Sequence, residues 1–511
     1  MCALSLSEMH FHRRWCVNPA HLLRYPLARM DLHHDFLAMP ERGDPYPLLA
    51  RCGDPAERVE NGRWVTENPG AKPASLCRMV GGYFPFTTSA VRIGELSEGA
   101  ALGVCVRSEG HALALLCRRS GARGELLLRR DGEEVSLGES EYAPGTELRI
   151  ALAGVFFDLW TLSPGGEPCF LHTGEYPPFA DIARRDIFSH AEVAVICELP
   201  AGGAAACEGA ESYLDAGAAQ ADLRPICYED GSPMLEDGRL YLTLSVRNRS
   251  CEFQAVCSLL PGSCDLRMEG AHFFDQGDGR YGGGGASCVR FDRATGLWYV
   301  WSISFYPKHI LCHAVARTDL RHGLHLLRMT EMPTEKEGEE MPTLSDDRLF
   351  LGKFGDEDPA LFFDTARREW LLCVCRVIRE GEEERYCYHL FRSRDPFDGF
   401  VFDSRTEIGS NTGGSFLRVG GKLVFVCGSD FSARARYDIF DPEDGMRHLG
   451  SIAVRHDDGG FRGWGSIVPI PCGSDLVYHW ITFDRQLSAP EGNWSYGNIY
   501  CFESDETEPI A

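Results

Sequence analysis

From about residue 60 onward, apolar positions come in short runs that alternate with polar ones. Examples are AALGVCVRS, HALALLCRR, GELLLRRDGEEVSLG, TELRIALAG and VFFDLWTLS. A period of two argues for strands with one buried face, and helical periodicity is scarce, so the class is all-β. Arg130-Asp131-Gly132 sits between two such runs and has the composition of a hairpin turn. Residues 31–200 are therefore expected to form a β-sandwich of the concanavalin-like kind. The stretch AGGAAACEGAESYLDAGAAQ is rich in small residues, which predicts a linker over 201–221. Residues 1–30 are expected to be a flexible extension and 506–511 a tail.

The second block, 222–505, repeats itself. DGSPML precedes DGRLYLTLSV, GASCVRF precedes TGLWYVWSIS, and DPALFF precedes RREWLLCVCR. GGSFLRV precedes GGKLVFVCGS, and WGSIVPI precedes GSDLVYHWITF. Each unit runs small residue, apolar strand, polar turn, second strand, and third strands such as YCYHLFRS follow. The unit recurs every ~50–75 residues, a blade-sized period. Five units predict a five-bladed β-propeller.

In a propeller the first strand of each blade lines a central channel, so residues at its start converge at one mouth. The register Ser232, Ser287, Ala360, Ser415, Ser466 places Asp230, Gly285, Asp358, Gly413 and Trp464 there. Two aspartates across a cavity suit acid–base work on a glycosidic bond. Glu229 and Glu357 flank them. Arg376, at the end of a second strand, is placed to pair with Asp358 or clamp a substrate. Thr412 stands beside the blade-four position, and Arg462 and Trp464, in GGFRGWGS, suit hydroxyl binding and sugar stacking.

A length of 511 residues implies two or more domains. The net charge of −24 argues against nucleic acid or an anionic membrane as partner. The 21 cysteines show no paired metal or disulfide spacing, and no apolar run reaches 18 residues. No signal peptide is legible, so a reducing, cytoplasmic setting is expected, without a cofactor or metal site.

The repeats resemble the five-bladed glycoside hydrolases of families 43, 32 and 68. Asp230 in YEDGSP, Asp358 in DEDPALFF and the phrase HLFRSRDPFDGF carry the resemblance. It implies an oligosaccharide substrate, Asp230 as base or nucleophile, and Asp358 as modulator or stabiliser. It also implies an accessory sandwich and, by analogy, a channel calcium. Blade four departs from the pattern: Asn411-Thr412-Gly413-Gly414-Ser415 stands where those families carry a glutamate. The proton then comes from Glu357, with Glu229, Asp430 and His309 as further candidates, or from the leaving group or substrate itself. The alternative is a propeller that binds sugar without cutting it.

Overall fold

The computed structural model describes residues 5–18, 23–32, 46–153, 155–179, 184–215, 219–247, 252–304, 310–331, 356–380, 383–408, 411–429, 436–453, 461–484 and 498–510. Nearly all regular structure is strand, in two units. The first consists of two antiparallel sheets of seven and eight strands that share one apolar core. The alternating runs form its strands at Ala101–Ser108, His111–Ser120, Arg123–Arg130, Glu133–Glu141, Glu147–Ala153 and Phe156–Leu162. Val104, Leu115, Leu128, Ile150 and Leu159 point into that core. Arg130 pairs with Glu133 across the turn, where Asp131 and Gly132 have φ of 50° and 90°. Two left-handed central residues give the tight turn whose twist matches the flanking strands.

The second unit is a five-bladed propeller. Its inner strands are Ala219–Pro225, Gly285–Asp292, Glu357–Asp364, Asn411–Val419 and Phe461–Cys472. Each touches the next, and the fifth touches the first, so the ring closes. Blade contacts are aromatic: Tyr437 of blade four meets Trp480 of blade five edge-on, with ring centroids 4.4 Å apart.

Four sequence expectations need correction. Residues 506–509 are not a tail: they continue the strand Ile499–Pro509, with Pro509 opposite Asp475. The small-residue stretch is not a linker. Ala204–Asp215 is a strand of the eight-stranded sheet, and Ala219–Pro225 is the inner strand of blade one. Small side chains let this strand pack closely: a Cβ on Gly94 would lie 2.9 Å from the carbonyl of Ala206. DGSPML is not that inner strand. It holds a turn, with Gly231 at φ 79°, and Leu235–Glu236 pairs only with Arg239–Leu240. Nor are the described residues among the first 30 a loose extension. Phe11–Val17 is the outer strand of blade five, antiparallel to Ile499–Pro509, and Arg24–Arg29 pairs with Ala204–Asp215. Phe11 packs on Trp480 at 5.4 Å.

Phe84 and Phe86 join the two units. Phe86 stacks on Phe253 and Phe273 of blade one, and Phe84 meets Phe273 edge-on at 5.3 Å. The first unit is thereby seated against the outer strands of blade one.

Candidate functional site

The inner strands share one local device. All five slip register relative to their second strands, between Ala221 and Arg224, Gly285 and Cys288, Glu357 and Ala360, Thr412 and Ser415, and Phe461 and Gly465. In the first four bulges the second residue takes a left-handed backbone: Asp222 at 56°, Ala286 at 49°, Asp358 at 50° and Gly413 at 64°. For a residue other than glycine that conformation costs about 1–2 kcal/mol. The bulges re-aim these residues at one mouth of the channel, as such irregularities do.

Asp222, not Asp230, is therefore the blade-one counterpart of Asp358. Both are nearly buried, at 5% and 4% exposure. Asp222 accepts a hydrogen bond from the Ser245 hydroxyl at 2.7 Å, and Gln254 in turn holds Ser245 at 2.9 Å. Asp358 accepts through Oδ2 from the Thr412 hydroxyl at 2.5 Å and the Gly413 amide at 3.0 Å. Thr412 thus orients Asp358.

Arg224, two residues past Asp222, lies between these groups. Its Nη1 donates to the Gly414 carbonyl, and its Nη2 stands 3.8 Å from Asp358 Oδ1. Burial opposes its charge, but Asp358, Tyr388, Cys288 and Asp222 together more than offset this and hold the proton more tightly than usual. Tyr388 sits beneath, accepting from the Gly414 amide. Burial first, and the Asp358 charge next, push its hydroxyl well above the usual range. Towards the far end the channel is lined by Cys227, Cys288, Ser415, Leu417 and a second buried arginine, Arg290. Arg290 donates to the carbonyls of Leu361 and Val289, both at 2.9 Å.

The expected pairing of Asp230 with Asp358 is overturned. Cys227–Tyr228 runs parallel to Gly285–Asp292, beside its last residues, and the Glu229 carbonyl accepts from the Phe363 amide at 2.7 Å. Phe363 is five residues beyond Asp358 on one strand, so Asp230 lies about 16 Å away, at the opposite end of the channel. There it accepts from the Ser232 amide at 3.0 Å and from Arg293. Burial would raise its carboxyl, but Ser232 and Arg293 outweigh this and hold it below the usual range. Glu229 pairs with the same arginine at 2.8 Å. Neither residue can share a substrate atom with Asp358.

Arg376 is also redirected. It forms an ion pair with Asp356, with a 3.1 Å contact from Nη2, and covers the Phe391 ring at 5.0 Å. Glu357 is half-buried, one residue before Asp358 and opposite Cys375. The side chains of Arg462 and Trp464, together with His309 and Asp430, lie outside the described residues.

A guanidinium stands beside Asp358, and among the described residues no three His, Cys, Asp or Glu side chains cluster in a way that could hold a metal ion.

Asp222 and Arg224 went unnoticed in the sequence. The available signal was the phrase ADLRP, an acidic residue opening a short strand, as in DEDPA.

No protein-family model matches the chain, and no curated protein matches it. Solved structures show a distant likeness. A family 43 β-1,3-galactosidase bound to galactodeoxynojirimycin is 11% identical, covering 55% of this chain and 90% of its own, with a TM-score of 0.37. A family 43 β-xylosidase/α-arabinofuranosidase from a compost microbial metagenome, in complex with xylotriose, is 14% identical. It covers 57% of this chain and 94% of its own, at 0.37. An inactivated β-agarase B in complex with agaro-octaose is 6% identical, covering 40% and 93%, at 0.26. Likeness at this level carries no weight for activity, and the propeller rests on its own strand pairing.

Proposed function

We propose that the chain is a carbohydrate-active propeller that acts on a glycosidic bond of a short oligosaccharide at the mouth ringed by Asp222, Ala286, Asp358 and Gly413. The observation that carries this reading is the repeated bulge. It spends backbone strain to bring two buried carboxylates, from non-adjacent blades, onto one channel mouth. Strain of that kind concentrates at functional sites. In this reading Asp222 takes a proton from a water as its oxygen bonds to the anomeric carbon. Glu357 gives a proton to the departing sugar oxygen, and Asp358, fixed by Thr412 and Gly413, holds the ring. The first unit, taken as concanavalin-like, would shape the approach. We place the protein in the cytoplasm, where its free thiols would persist.

The test is release of reducing sugar from arabinose-, xylose-, galactose- and fructose-containing oligosaccharides. Asp222→Asn is expected to lower release by at least about a hundredfold, as loss of a general base does. Asp230→Asn is expected to leave turnover near wild type. Equal losses in both variants would refute the assignment.

Gly413 favours a second reading, a sugar-binding propeller without turnover, because the blade-four position cannot donate a proton. That reading expects binding without release in the wild type, and first release of sugar in Gly413→Glu.

A further inference from the structure

We infer that Arg224 and Asp358 together form a hydroxyl-reading pair that selects a neutral sugar unit at this mouth; the inference rests on the sugar-site reading above. The geometry carries it. Asp358 commits Oδ2 to Thr412 and Gly413, while Oδ1 faces Arg224 Nη2 at 3.8 Å, too far for a direct hydrogen bond. Nη2 is buried and has no hydrogen-bond partner among the described residues. Leaving such a donor unsatisfied is costly, which makes it a place for a ligand atom.

An oxygen within about 2.8–3.0 Å of both atoms would serve both. It must accept from Nη2 and, in the same position, donate to Oδ1. A hydroxyl does this with one proton. A carboxylate oxygen would face Oδ1 with no proton between them. An ammonium would face a guanidinium. The pair therefore favours a sugar bearing a free hydroxyl over a uronate or an amino sugar. Asp222, Asp358 and Arg224 sum to one negative charge, which further disfavours a uronate; against an amino sugar the argument rests on the guanidinium alone. Arg224 would act as a specificity residue, touching the substrate but transferring no proton.

The experiment measures dissociation constants of the full chain for methyl β-xyloside, methyl α-arabinofuranoside, methyl β-galactoside, their monodeoxy analogues and methyl β-glucuronide. A charge-assisted hydrogen bond predicts a loss of about ten- to a hundredfold for one deoxy position only. The glucuronide should bind more weakly than the neutral glycosides. In Arg224→Met the selective loss should vanish, so that parent and deoxy analogue bind alike. Should that variant fail to fold, Arg224→Lys serves, since it keeps the charge and loses the second nitrogen. The wild-type deoxy series also decides by itself. If the panel does not bind at all, the sugar site falls and the inference with it. If sugars bind but no deoxy position stands out, or the selective loss survives in the Arg224 variant, the inference alone is overturned.

Discussion

Replacing Asp358 by Asn isolates one quantity, the charge that faces Arg224. The side chain keeps its shape and a carbonyl oxygen that can still accept from Thr412 and Gly413, and Asn tolerates the left-handed backbone at 50°. What disappears is a unit charge 3.8 Å from a guanidinium that is 7% exposed. With an effective dielectric of about 20, that attraction is about 4 kcal/mol. Removing one partner of a buried ion pair typically costs about 3–5 kcal/mol, so the two routes agree. Urea unfolding followed by tryptophan fluorescence reads the change, because Trp301 and Trp480 are fully buried in blades two and five. The midpoint should fall without a change in slope. Arg224→Met should rescue part of the loss, since the double variant no longer strands a buried cation, and a coupling of about 1–3 kcal/mol is expected. A cost below about 1 kcal/mol for Asp358→Asn, or single effects that add to within about 0.5 kcal/mol, would refute the shared buried field.

Two further outcomes follow from the corrected placements. Asp230 has its proton affinity lowered in the folded state by Ser232 and Arg293, against the effect of burial, so its contribution to stability is full above the unfolded carboxylate range near pH 4 and is lost as pH falls. Asp230→Asn should flatten the acid limb of a stability-versus-pH curve, and an unchanged limb would show that the carboxylate contributes nothing. Deleting residues 1–17 strips the outer strand from blade five and bares the edge of Ile499–Pro509; size-exclusion chromatography should show association through that edge, and a monomer of unchanged melting temperature would contradict it.

How much of this was legible depended on how far the chain travels between paired strands. In blades three and four the first and second strands are joined by short turns, from Asp364 to Glu369 and from Val419 to Lys422. Local alternation therefore exposed both strands, and with them Asp358 and Gly413 as mouth residues. In blade one the chain leaves the axis after Pro225, crosses beside blade two through Cys227–Tyr228, turns at Gly231 and returns only at Arg239. The phrase DGSPML lies on this detour at the spacing of a true inner strand, and it drew attention to Asp230. The strand that belonged there was hidden in a run of alanines and glycines, whose small size reflects close packing as readily as looseness. Phe11–Val17 was unreadable for a different reason. Its edge position leaves most of its side chains exposed, and its partner lies almost five hundred residues away. Arg224 is a tertiary residue in the same sense, because its meaning comes from a carboxylate in another blade.

The strand Phe11–Val17 also orders events in time. Since blade five is completed by a segment that precedes the rest of the propeller along the chain and a hairpin that follows the other four blades, the toroid stays unlatched until that hairpin has been made. The two-sheet unit, complete by residue 215, is threaded between latch and first blade and can mature while the latch waits. A nascent chain of this design carries Phe11–Val17 unpaired until Ile499–Pro509 has been made, which makes that interval its period of greatest exposure to misassembly.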